Sequence, residues 1–147
     1  MRWVYQRQDL GEPRFPDGTV VRRPVVTVRA STTGPDYPGV VDSGSPITVA
    51  SEDLMAEAGI DLGRADPIME VPFGFGRGAR PVAVFTVQLE LVPPDDDGTS
   101  FIWTLPVGLI TGWRLAFPIL FGQLGWFDTF PTTIDRTTTV VEVPDPA

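Results

Sequence analysis

The sequence predicts an all-β domain that carries one short helix. Three observations lead there. Sixteen prolines and 15 glycines in 147 residues work against long helices and supply many turns. Several runs alternate apolar and polar residues with the period of two that a half-buried strand requires. Only the segment after Ser51 has the capping and spacing of a helix.

The elements follow in chain order. Residues 1–18 hold turn signals at Gly11-Glu12-Pro13 and Pro16-Asp17-Gly18, and read as an extension ahead of a domain spanning 19–143. Between Thr19 and Ala30, Val26, Val28 and Ala30 alternate with Thr27 and Arg29, a half-buried strand whose start or edge suits Pro24. After a polar loop, Val40-Val41 and Ile47-Thr48-Val49 read as two short buried strands around a tight Asp42-Ser43-Gly44-Ser45 turn. The helix is expected from Ser51 to Leu62. Ser51 caps it, Glu52 and Asp53 sit where the dipole favours acids, and Gly59 stops it in the left-handed conformation.

From Ile68 to Val92 the pattern is a long hairpin. Its second arm puts Val82, Val84, Thr86, Gln88 and Glu90 on one face and Ala83, Phe85, Val87, Leu89 and Leu91 on the other. Gly74, Gly76 and Gly78 make its connection permissive and, by expectation, mobile. Pro93 to Gly98 is a surface turn. Buried strands are expected in the segments beginning at Phe101 and Leu115, then a turn or helix near Trp126, then a closing pair of strands. Residues 144–147 read as a frayed tail.

Length and composition bound the function. At 147 residues the chain is one domain, able to bury about 70% of its unfolded surface. It has no cysteine, which removes disulfides, thiolate metal sites and cysteine nucleophiles. It has no histidine, which removes Ser-His-Asp chemistry and imidazole zinc sites. The net charge of −8 lacks the positive footprint of a nucleic-acid binder. All eleven basic residues are arginine, as codon bias in a GC-rich genome would produce.

No stretch has the apolar length of a signal peptide or a membrane span, so a cytoplasmic protein is expected, with no membrane partner. Asp95 to Asp97 lacks the spacing of a calcium loop, and the Gly74–Gly78 run lacks the lysine and helix of a phosphate loop. No metal and no cofactor are expected. The aromatic residues from Trp113 to Phe130 read as core or dimer packing rather than a ligand pocket.

One constellation carries chemistry. Val40-Val41-Asp42-Ser43-Gly44-Ser45 places a carboxylate between two apolar residues and a Ser-Gly turn. Taken alone, it reads as an Asx-type turn in which the carboxylate accepts nearby backbone N–H groups. In context it resembles the active-site loop of retropepsin-like aspartic proteases, where two apolar residues precede Asp-Thr/Ser-Gly-Ala/Ser. A second feature of that family, an apolar-apolar-Gly signature, is matched by Leu120-Phe121-Gly122. The order of strand, Asp loop, helix, glycine-rich hairpin, core strands and Gly motif also matches, over roughly residues 19 to 136. Two departures stand out: Ser45 replaces the commoner alanine, and Gln123 follows Gly122 where many relatives have arginine. Neither Arg14 nor Arg136 is assignable to the missing arginine's place.

The resemblance implies a barrel-like retropepsin fold with a short helix and strand after the Gly motif. It implies a homodimeric aspartic endopeptidase acting on a peptide or protein substrate. Asp42 would be catalytic, one per chain, because this length holds a single Asp-Ser-Gly and the chemistry needs two carboxylates sharing a proton. Ser43, Gly44 and Ser45 would support the loop, with Ser43 bonding across the dyad and Gly44 donating an N–H. Phe73, Gly74, Phe75, Gly76, Arg77 and Gly78 would form a flap closing over substrate. Leu120 and Gly122 would form the second motif, and the Val140–Val143 segment would interleave with the partner. The alternative is a retropepsin-shaped dimerisation or peptide-binding module without activity.

Overall fold

The computed structural model describes residues 1–63, 68–72, 78–96 and 98–145. Among them are ten strands and one helix: β1 (Arg2–Gln6), β2 (Val25–Arg29), β3 (Tyr37–Val41), β4 (Val49–Ser51), α1 (Glu52–Glu57), β5 (Ile68–Pro72), β6 (Ala79–Val92), β7 (Phe101–Ile110), β8 (Ile119–Phe121), β9 (Thr132–Ile134) and β10 (Thr138–Glu142). Six strands run in the order β2-β3-β8-β4-β7-β6, and β6 returns to pair with β2, which closes a barrel. Closure leaves no free edge among those six. β5 hangs on the outer part of β6 as a hairpin, with Pro72 opposite Ala79 and Ile68 opposite Ala83. A second sheet, in the order β1-β10-β9, stands beside the barrel. No helix among the described residues is long and apolar enough to cross a membrane.

The longest strands follow the expected alternation. Phe85, Val87, Leu89 and Leu91 of β6 are buried while Thr86 and Gln88 are exposed. Val82 and Val84 are buried as well, although they belong to the opposite face. The reason for Val82 is a satellite apolar cluster of Val82 with Ile47, Val49 and Val71, which covers that face at the hairpin base. The main core centres on Trp103, Phe121, Trp126 and Phe130. Trp126 lies 4.6 Å from Phe121 and 4.7 Å from Phe130 between ring centroids. Trp103 meets Trp126 and Phe130 edge-on. Most of the aromatic run thus packs the core, as its density suggests.

Several expectations need correcting. The amino terminus is not an appendage: β1 pairs with β10 in full register, and Trp3 and Tyr5 join the core. The Tyr5 hydroxyl donates to the Val92 carbonyl at 2.7 Å, and burial pushes this phenol's pKa well up. A boundary at residue 19 therefore cuts through the packed unit. The helix is shorter than the pattern suggests. Ser51 caps it by accepting the Leu54 N–H, but the chain turns at Ala58-Gly59, where Gly59 has φ 77°. The short helix implied after Gly122 is replaced by turns from Trp126 to Thr129, anchored by the buried Trp126. Only Ile119–Phe121 of the segment beginning at Leu115 is strand. The Val140–Val143 segment lies mid-sheet, with β10 flanked by its own β1 and β9, so it offers a partner no free edge.

Candidate active site

β3 delivers Asp42. Its buried end, Val40 and Val41, pairs in parallel with Leu120 and Phe121 of β8, so both strands leave the barrel side by side. The Asp42 N–H donates to the Phe121 carbonyl at 2.8 Å, which extends that ladder by one residue. The chain then turns: the Ser45 N–H returns to the Asp42 carbonyl at 3.1 Å, and the Gly44 N–H donates to Asp42 Oδ1 at 2.9 Å. Asp42, Ser43 and Gly44 are exposed, whereas Ser45 is buried and donates its hydroxyl to the Ile47 carbonyl. The Ser43 hydroxyl has no partner among the described residues of this chain.

A second loop, Gly122 to Gly125, holds the first from behind. The Gln123 N–H donates to the Ser45 carbonyl at 2.8 Å, and the Leu124 N–H to the Pro46 carbonyl at 3.1 Å. The Thr48 hydroxyl accepts the Gly122 N–H at 3.1 Å and donates to the Leu124 carbonyl at 2.9 Å. Thr48 is fully buried, so these bonds satisfy a hydroxyl that would otherwise carry a desolvation cost. Gly122 is obligatory here. A Cβ on it would press into the Ile47 carbonyl oxygen and stand 2.7 Å from that of Ser45.

Two residues to which the sequence assigned no supporting role belong to this arrangement. Thr48 had no local signal, since its partner lies 74 residues away. Gln123 follows Gly122, and its side-chain amide donates to the Ser43 carbonyl at 2.7 Å. It braces the loop that carries Asp42. Arg14 instead pairs loosely with Asp9 at 3.9 Å, on the surface.

The hairpin of β5 and β6 rises on the same side. Val71 and Val82 at its base pack with Ile47 and Val49, the residues that follow the Asp42 turn. Gly78 at its return is exposed with φ 75°. Phe73, Gly74, Phe75, Gly76 and Arg77 lie outside the described residues. Leu120 is half-buried between Val40 and Val49. The other aspartates in apolar stretches serve turns: Asp128 accepts the Gly125 N–H, and Asp135 accepts the N–H groups of Thr137 and Thr138.

A closed six-stranded barrel, a protruding hairpin and an Asp-Ser-Gly loop locked to a glycine loop define a retropepsin-like fold. The chain is similar to a crystal structure of a retropepsin-like aspartic protease from Rickettsia conorii, with a TM-score of 0.59 over 97% of this chain and 92% of that one. Identity is 13%, so the likeness concerns the fold. No family model matches the sequence, and no curated protein matches it.

Proposed function

We propose that this protein is an aspartic endopeptidase that works as a homodimer. The observation that carries this reading is the Asp42 loop: an exposed carboxylate held rigidly by the Gly122 loop, with most of its lone pairs unspent. One chain supplies one such group. Two copies about a two-fold axis supply the pair. One carboxylate, ionised, takes a proton from water. The other, protonated, donates a hydrogen bond to the scissile carbonyl. The resulting hydroxide adds to the carbonyl carbon, and the tetrahedral intermediate collapses as the amine leaves with a proton. The unpartnered Ser43 hydroxyl suits a bond across the axis. Among the described residues, the sheet edges left for a second copy are those of β1, β9 and β5.

The test is digestion of unstructured peptides across pH, comparing wild type with Asp42→Asn, alongside light scattering for mass. Cleavage by a dimer, lost in the variant, supports the reading. Equal cleavage by both proteins marks a contaminant. A folded dimer that cleaves nothing favours the binding-module alternative, and a strict monomer removes the peptidase reading.

A further inference from the structure

An open cleft of about 600 Å³ lies at the opposite end of β3 from Asp42. Tyr37, which lines it, is five residues before Asp42, about 16 Å along a strand rising 3.3 Å per residue. One wall is the loop between β7 and β8, which presents Trp113 and Leu115 over the buried Phe117. This wall is built in advance. The Trp113 indole N–H donates to the Phe117 carbonyl at 2.6 Å, and the two rings meet edge-on. Leu115 is 54% exposed, a large apolar side chain left open to water.

The facing wall is acidic. Glu52 and Asp53, in the first turn of α1, line the cleft and are exposed. Neither carboxylate has a hydrogen bond or ion pair among the described residues. The negative field of Asp53 reaches Tyr37. Its phenol pKa is pushed up, first by its hydrogen bond to Glu57, then by burial, then by the charges of Glu57 and Asp53. Among the described residues no arginine lines the cleft, and Arg114, beside Trp113, is not part of it. The helix dipole accounts for acids at this end of α1, but not for the preformed aromatic wall opposite them.

An apolar, aromatic face set against two unpaired carboxylates calls for a ligand that is planar, cationic and flanked by apolar groups. Arginine matches this better than lysine, because its guanidinium can fork onto carboxylates while its flat face stacks on an indole. We infer that this cleft docks an arginine-bearing peptide segment, the guanidinium on Glu52 and Asp53 and an adjoining apolar side chain against Trp113 and Leu115. Docking here is independent of peptidase activity, since it uses none of the Asp42 loop.

The experiment uses the full chain carrying Asp42→Asn, so that no peptide is consumed. The probe is the blocked peptide acetyl-Gly-Leu-Arg-Arg-Phe-Gly-amide, titrated by calorimetry and by tryptophan fluorescence. Trp3, Trp103 and Trp126 are buried, so a fluorescence change that vanishes in Trp113→Phe reports this cleft. Binding should weaken about tenfold in Glu52→Gln/Asp53→Asn, a loss of about one charge-assisted bond, and weaken as salt rises. The same peptide with glutamate for both arginines should not bind. Each acid is also replaced alone, in case the double variant fails to fold. Equal affinity for both peptides, undiminished binding in the folded acid variants, or no binding up to about 1 mM overturns the inference.

Discussion

Asp42 and Asp135 begin from the same local chemistry and end in opposite states. Each follows a short strand, and each turns its carboxylate back onto backbone N–H groups downstream. Asp135 uses up its acceptors there. It takes the N–H groups of Thr137 and Thr138 at 2.7 Å, and the hydroxyls of both residues as well. Those bonds, with the Thr137 N–H first, hold its pKa down at about 2. Asp42 accepts a single N–H, from Gly44, and its loop is fastened through backbone carbonyls instead. A carboxylate whose own lone pairs fasten its turn has little left for a reactant. One whose turn is fastened by its neighbours stays free to move a proton.

The comparison breaks most sharply at Asp42 itself. Asp42→Asn should lower peptide hydrolysis by about four orders of magnitude or more, as for other groups that act as a catalytic unit. Its thermal midpoint should stay near the wild-type value, because only one hydrogen bond to the carboxylate is at stake. A large loss of stability in that variant would show that the Asp42 carboxylate is spent on fastening its own turn.

The bracing behind Asp42 is tested next. Gly122→Ala forces a Cβ against the Ile47 and Ser45 carbonyls and should cost about 3 kcal/mol, read by urea denaturation. Thr48→Val strands the Gly122 N–H in the core and should cost about 1–3 kcal/mol. Gln123→Ala removes a surface bond, so stability should change by less than about 1 kcal/mol. Activity should nonetheless fall, in kcat rather than KM, because the Asp42 loop loses its side-chain brace. An unchanged kcat would remove Gln123 from the positioning machinery.

The smallest effect belongs to Asp135. Its folded pKa lies below the ordinary value near 3.8, so the folded state favours the ionised form. The stability this supplies is fully present above that ordinary value and is lost as the pH falls toward about 2. Wild type should therefore show a falling thermal midpoint between those limits, and Asp135→Ala a flatter one, with hydrolysis at higher pH unchanged by the substitution.

What could be read along the chain was local. The alternation from Phe85 to Leu91, the Ser51 cap and the Asp-Ser-Gly turn are each written in neighbouring residues, because strand period, capping and turn chemistry act over a few positions. Gln123 was visible only as a departure from a pattern, since a substituted residue shows what is missing and not what its side chain reaches.

Pairing across distance left no such mark. Met1 meets Val143 through a bond spanning 142 positions, which makes β1 part of the fold rather than an extension. The union of Thr48 with Gly122, the return of β6 to β2, and the cleft between α1 and the β7–β8 loop arise the same way. Composition and periodicity determined that this chain would be a β-rich unit, and the resemblance of one loop to a known motif singled out Asp42. Only the closed barrel decided which buried groups would hold that aspartate in place, because hydrogen bonds between remote segments are chosen by packing and not by the residues on either side of each partner.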